Sequence, residues 1–119
     1  MSLQANWETY KGKQILNVCY TTCNSTDEMI KLLEKELQML KDAGGNSLLL
    51  ADFRGTTVEN EFMDKAKSIG KELEALTDKS AILGITGVKK ILLMAYNKVA
   101  KGSLKPFDDE TAAKDYLVN

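Results

Sequence analysis

The chain has 119 residues, with 16 basic and 17 acidic side chains, a net charge of −1, 44% hydrophobic residues and one proline. That length and balance predict a single globular domain with its own core, and exclude a disulfide scaffold, a low-complexity chain and a strongly basic nucleic-acid binder. Histidine is absent, which removes the commonest general base and the commonest metal ligand, and with them serine–histidine and cysteine–histidine nucleophile systems.

Residues 4–119 are read as the domain, and Met1-Ser2-Leu3 as an expression remnant. Trp7 to Tyr10 and Gln14 to Thr21 read as two short strands, with Lys11-Gly12 turning a hairpin between them. Ser25-Thr-Asp-Glu28 has capping-box spacing, so a helix begins there. Met29, Ile30, Leu33, Leu37 and Leu40 form its apolar stripe, and Gly44-Gly45 stops it. Ser47-Leu-Leu-Leu-Ala-Asp-Phe53 is a continuous apolar run, the pattern of a strand covered on both faces.

A second helix follows Arg54-Gly55, with Phe62, Ala66, Ile69, Leu73 and Leu76 inward. Ser80-Ala-Ile-Leu-Gly-Ile85 is a further buried strand. Gly87 opens a third helix, Val88 to about Lys101, whose expected core stripe is Val88, Ile91, Leu92, Ala95 and Val99. Leu93, Met94 and Tyr96 widen its apolar arc. Pro106-Phe107 reads as an edge strand or an extended connection. Asp108 or Asp109 caps a last helix that buries Ala113, Tyr116 and Leu117. The order ββαβαβα(β)α predicts an α/β fold with a mixed, mostly parallel sheet of four to five strands and about four flanking helices.

Charge is segregated along the chain. Six lysines and no acid lie from Lys79 to Lys105, leaving the rest at −7. Such a block predicts a face for a partner of opposite sign. On the third helix, Lys90, Lys98 and Lys101 would meet an acidic partner or a membrane surface, while Leu93, Met94 and Tyr96 would form a dimer or partner surface. The competing reading is a crowded core helix with lysines that keep its surface wet.

Two loops are candidates for a small ligand. Asp52-Phe-Arg-Gly55 ends the third strand, where open α/β sheets bind ligands. Arg54 is the one arginine among fifteen lysines and suits a carboxylate or phosphate. Otherwise Asp52 caps the loop and Arg54 is solvated. Gly84-Ile-Thr-Gly-Val-Lys-Lys90 joins a strand to a helix N-terminus, so Thr86, Gly87, Lys89 and Lys90 could hold an anion. Otherwise its glycines serve a tight turn. The spacing is not that of a P-loop.

Cys19 and Cys23 form a C-x₃-C pair, read as small buried hydrophobes rather than a redox pair. Asp52, Glu59 and Glu61 stand near one sheet end without a paired pattern. A zinc site would need two cysteines and carboxylates, so neither metal nor cofactor is expected. No apolar run approaches a membrane span, and no signal-peptide pattern opens the chain, so a cytoplasmic location is expected.

Three segments carry a resemblance. They are Leu48-Leu-Leu-Ala-Asp-Phe-Arg-Gly55, Ser80-Ala-Ile-Leu-Gly-Ile-Thr-Gly-Val-Lys-Lys90 and Lys105-Pro-Phe-Asp-Asp-Glu-Thr-Ala-Ala-Lys-Asp-Tyr-Leu117. Together they resemble the SpoIIAA-like group of bacterial STAS/Sec14-type domains. The resemblance implies a mixed sheet flanked by helices and a regulatory role. Classical STAS domains carry a phosphorylatable serine in Asp-Ser-x-Gly at the helix after the third strand. Thr56-Thr-Val-Glu-Asn-Glu-Phe62 stands there instead, with Thr56 and Thr57 as nearby hydroxyls. The Sec14 side implies small apolar or lipid ligands. The expectation is therefore a non-enzymatic STAS-like module that binds a protein partner or itself. The alternative is a sensor of a small anionic or apolar ligand, with no role in nucleic-acid binding.

Overall fold

The computed structural model describes residues 4–100 and 104–119. Met1-Ser2-Leu3 and Lys101 lie outside the described residues. The elements are β1 (Ala5–Tyr10), β2 (Lys13–Cys19), α1 (Thr26–Ala43), β3 (Ser47–Asp52), α2 (Asn60–Leu76), β4 (Thr77–Leu83), α3 (Val88–Ala100), β5 (Leu104–Phe107) and α4 (Glu110–Val118). The strands pair in the order β1-β2-β3-β4-β5. β1 runs antiparallel to β2, and every other pairing is parallel. The α/β class and mixed sheet expected from the sequence are therefore present, and β5 is a strand rather than a mere connection.

Alternation along the strands divides the core. Leu16, Val18, Leu49, Ala51 and Ile82 join the cluster under α1 and α2. Ile15, Leu48, Leu50, Ala81 and Leu83 join Ala113 and Leu117 of α4 on the other side. Successive residues point to opposite faces, so a strand covered on both faces reads as an unbroken apolar run. All six residues of β3 are buried.

Local signals set the helix ends. Ser25 Oγ accepts from the Glu28 N–H at 3.2 Å. The Glu28 carboxylate answers by accepting from Asn24, one residue earlier than the usual reciprocal partner. Gly44 ends α1 in the left-handed region, at φ 86°. α2 passes into β4 with no loop between Leu76 and Thr77, which is why β4 starts three residues before the expected Ser80. The Thr77 hydroxyl donates to the Leu73 carbonyl at 3.0 Å, using one of the helix's last acceptors. Asp109 caps α4 by accepting from the Ala112 N–H at 2.9 Å.

One glycine has no substitute. Gly84 follows β4 at φ 84°, and a Cβ there would collide with the backbone of Phe53 and Arg54. The loops leaving β3 and β4 can touch only because this residue has no side chain. Among the described residues, no helix is long and apolar enough to cross a membrane.

Candidate functional site

The strand-end candidate closes on itself. Burial acts to raise the Asp52 carboxyl, but hydrogen bonds from the Arg54 side chain and backbone outweigh it and hold the group below its ordinary range. Arg54 Nη2 donates to Asp52 Oδ2 at 2.7 Å and to Glu110 Oε1 at 3.1 Å, while its Nε reaches Asp52 Oδ1 at 3.0 Å. The hydrogen bonds to Asp52 raise the guanidinium's own pKa, against burial, which acts to lower it. The fork thus ties β3 to α4. Glu59 and Glu61 are exposed at the start of α2.

Lys89 turns elsewhere. Its Nζ donates to the Phe53 carbonyl at 3.1 Å, and the side chain lines a cavity beneath α3. Arg54 lines a separate, shallow depression beside Cys19, Thr21 and Glu110. The two cations expected to converge on one ligand line different cavities. Thr86, Gly87 and Lys90 are exposed. The Lys89 and Lys90 N–H groups are bonded to the Thr86 and Gly87 carbonyls, each at 3.1 Å. Two of the first amides of α3 are therefore occupied.

α3 is rotated about its axis relative to the sequence expectation. Val88 and Ile91, expected in the core, are 68% and 67% exposed, and Met94 is 64% exposed. Leu93 and Tyr96 instead pack, half-buried, against the main core. Tyr96 and Ala100 sit against Gly70 of α2, where a Cβ would come within 3.4 Å of both. Apolar residues surround this helix, so periodicity alone could not choose its inward face, and the close approach at Gly70 decides it. Of the three residues expected to meet a partner, Met94 alone is exposed.

Under α3 lies a cavity of about 80 Å³ between the sheet and the helices. Its lining includes Tyr20, Phe53, Phe62, Tyr96 and two carboxylates, Glu36 of α1 and Glu74 of α2. Tyr20 stacks on Phe53 with centroids 4.3 Å apart, and Phe62 meets both edge-on at 5.7 Å. Glu36 is only 3% exposed. Its Oε1 accepts from the Tyr20 hydroxyl at 2.9 Å. Its Oε2 has no partner among the described residues and is left open to the cavity. Burial pushes the Glu36 carboxyl up to about 7, against the opposing pull of the Tyr20 hydrogen bond. Burial and then the Glu36 charge raise the Tyr20 and Tyr96 hydroxyls, so both stay protonated at neutral pH.

Sequence reasoning missed Glu36, although a signal was present. Met29, Leu32, Leu33 and Leu40 are buried, and position 36 lies in phase with them. A carboxylate on a helix's apolar stripe is the anomaly worth marking.

The remaining candidates are placed plainly. The Thr56 hydroxyl donates to the Phe53 carbonyl at 2.7 Å, and Thr57 is exposed. Cys19 and Cys23 are free thiols of intermediate exposure rather than fully buried ones. Cys19 Sγ lies 2.8 Å from Thr21 Oγ1. Among the described residues, no group of three side chains is arranged to hold a metal ion. Comparison with protein-family models, curated proteins and solved structures gave no match to this chain.

Proposed function

We propose that the chain is a non-enzymatic, STAS-like interaction module that docks a partner protein on the outer face of α3. The observation that carries this reading is the exposure of Val88, Ile91 and Met94, each about two-thirds open, on a helix whose segment from Lys79 to Lys105 holds no acid. Exposed Lys90 and Lys98 flank that patch. An apolar centre with a cationic rim suits a partner surface with an apolar centre and an acidic rim. A second copy of the chain fits less well, because two such helices face to face would oppose lysine to lysine without an acid between them. The mixed sheet and its flanking helices agree with the layout that the STAS resemblance implies. The absence of histidine favours binding over catalysis.

The test uses the full chain, ¹⁵N-labelled, and a synthetic acidic amphipathic helix of glutamate and leucine. The reading predicts shifts at Val88, Ile91, Met94 and Lys98 that weaken as salt is added. Met94→Glu should abolish them, and sedimentation should give a monomer. Silence at α3 would defeat the reading. So would a dimer broken by Met94→Glu, or preferential binding to phosphatidylserine vesicles.

A further inference from the structure

The cavity beneath α3 asks for its own explanation, independent of the helix's outer face. A carboxylate within an apolar core is costly unless both oxygens find donors. Glu36 has one donor, Tyr20, and it lines the cavity. No ion pair reaches it among the described residues. Lys89 lines the same cavity, but its ammonium is bonded to the Phe53 carbonyl. The space is lined largely by apolar and aromatic side chains, and Glu74 adds a second carboxylate.

We propose that this cavity binds a small organic cation, a short alkylammonium whose N–H donates to Glu36 Oε2 and whose chain lies among Tyr20, Phe53, Phe62 and Tyr96. Three observations converge on that class. Glu36 is a buried residue whose Oε2 has no donor among the described residues, and a cation supplies both a hydrogen bond and the opposite charge. Four of the lining residues are aromatic, and aromatic rings attract an ammonium through their quadrupoles. The volume of about 80 Å³ is smaller than the roughly 150 Å³ of an engineered cavity that takes benzene, so the chain must be short. An anion would meet Glu36 and Glu74 with like charge. A neutral alcohol would satisfy the oxygen but leave its charge uncompensated.

The binding depends on pH in a definite direction. The ammonium needs the ionised carboxylate, and Glu36 loses its proton near 7. The groups facing it are Tyr20 beyond β2, Tyr96 and Lys89 on α3, and Glu74 on α2. Both tyrosines stay neutral through that range. Affinity for the amine therefore rises with pH through about 7.

The probe is n-butylamine, titrated into the full chain at pH 8 and followed by ¹⁵N and methyl chemical shifts. Saturable shifts should appear at Leu33, Leu93 and Ala66. Glu36→Gln should weaken binding about ten- to hundredfold, as for a hydrogen bond to a charged group. n-Butanol should bind more weakly than the amine. Should Glu36→Gln fail to fold, Ala66→Leu, which fills the cavity and keeps the carboxylate, should abolish the shifts. The proposal is overturned if up to about 20 mM butylamine, well above a millimolar Kd, leaves the spectrum unchanged. It is equally overturned if butanol binds as well as the amine, or if the variants bind like the parent.

Discussion

The two faces of one sheet draw on the same strands and are closed in different ways. Under α4 the cover is a single helix of nine residues, and the charges stand at the rim. Lys114 donates to Glu8 at 2.7 Å and pairs with Glu110 at 2.8 Å. Burial acts to lower the Lys114 pKa, but those two carboxylates outweigh it and raise it. Arg54 joins Asp52 to Glu110, and Asp115 holds both Tyr10 and Lys11 at the hairpin tip. Every one of these charges has a partner, and Ile15, Leu83, Ala113 and Leu117 beneath them are almost wholly buried. Under α1, α2 and α3 the apolar cluster is larger, yet it leaves a cavity and a carboxylate whose second oxygen has no partner among the described residues. A small cover with paired rim charges leaves only open surface depressions at its edges. A larger one tolerates an internal acid, and that tolerance marks where binding can occur.

The comparison can be broken first on the closed face. Leu83→Ala, at 0% exposure, should cost about 3 kcal/mol in urea unfolding, because the truncation removes a fully buried side chain from the α4-side core. A loss below about 1 kcal/mol would mean that this face is as loose as the other.

The next effect belongs to Glu36. Its folded pKa of about 7 exceeds the ordinary 4.5, so the folded state keeps the proton longer. The stability linked to this group is complete below pH 4.5, declines through the interval to about 7, and is lost above it. Glu36→Gln should remove that decline, which can amount to about 3 kcal/mol. Asp52 and Glu8, whose pKa values are lowered, act oppositely and lose stability as pH falls. The difference between parent and variant curves isolates Glu36, and parallel curves would contradict the assignment.

Overpacking sharpens the contrast. Ala113→Leu should destabilise by about 2 kcal/mol, whereas Ala66→Leu on the cavity side should cost less than about 1. Equal costs in thermal unfolding would remove the asymmetry. The smallest effect is expected outside both cores. Met94→Glu should change stability by no more than about 0.5 kcal/mol, because the side chain is 64% exposed.

Much of the fold was legible because its signals are local. The Ser25 and Asp109 caps, the Gly44 stop and the unbroken run of β3 each act within a few residues. The phase of α3 was not legible. Val88, Ile91 and Met94 are as apolar as Leu92 and Leu93, and only the contact with Gly70 across α2 chooses between them. The candidate site was legible in part. Lys89 was singled out, but for an anion beside Arg54, and a side chain's direction at a strand end cannot be read from spacing. Glu36 stood in phase with the stripe of α1, and its burial depends on helices that follow it by dozens of residues.

The most direct test is the ¹³C chemical shift of the Glu36 carboxyl, followed through a pH titration of the full chain. A midpoint near 7 is the predicted result for an acid buried in an apolar cavity with a single donor. A midpoint near 4.5 would mean that water reaches the carboxylate freely, and the cavity as described would not exist.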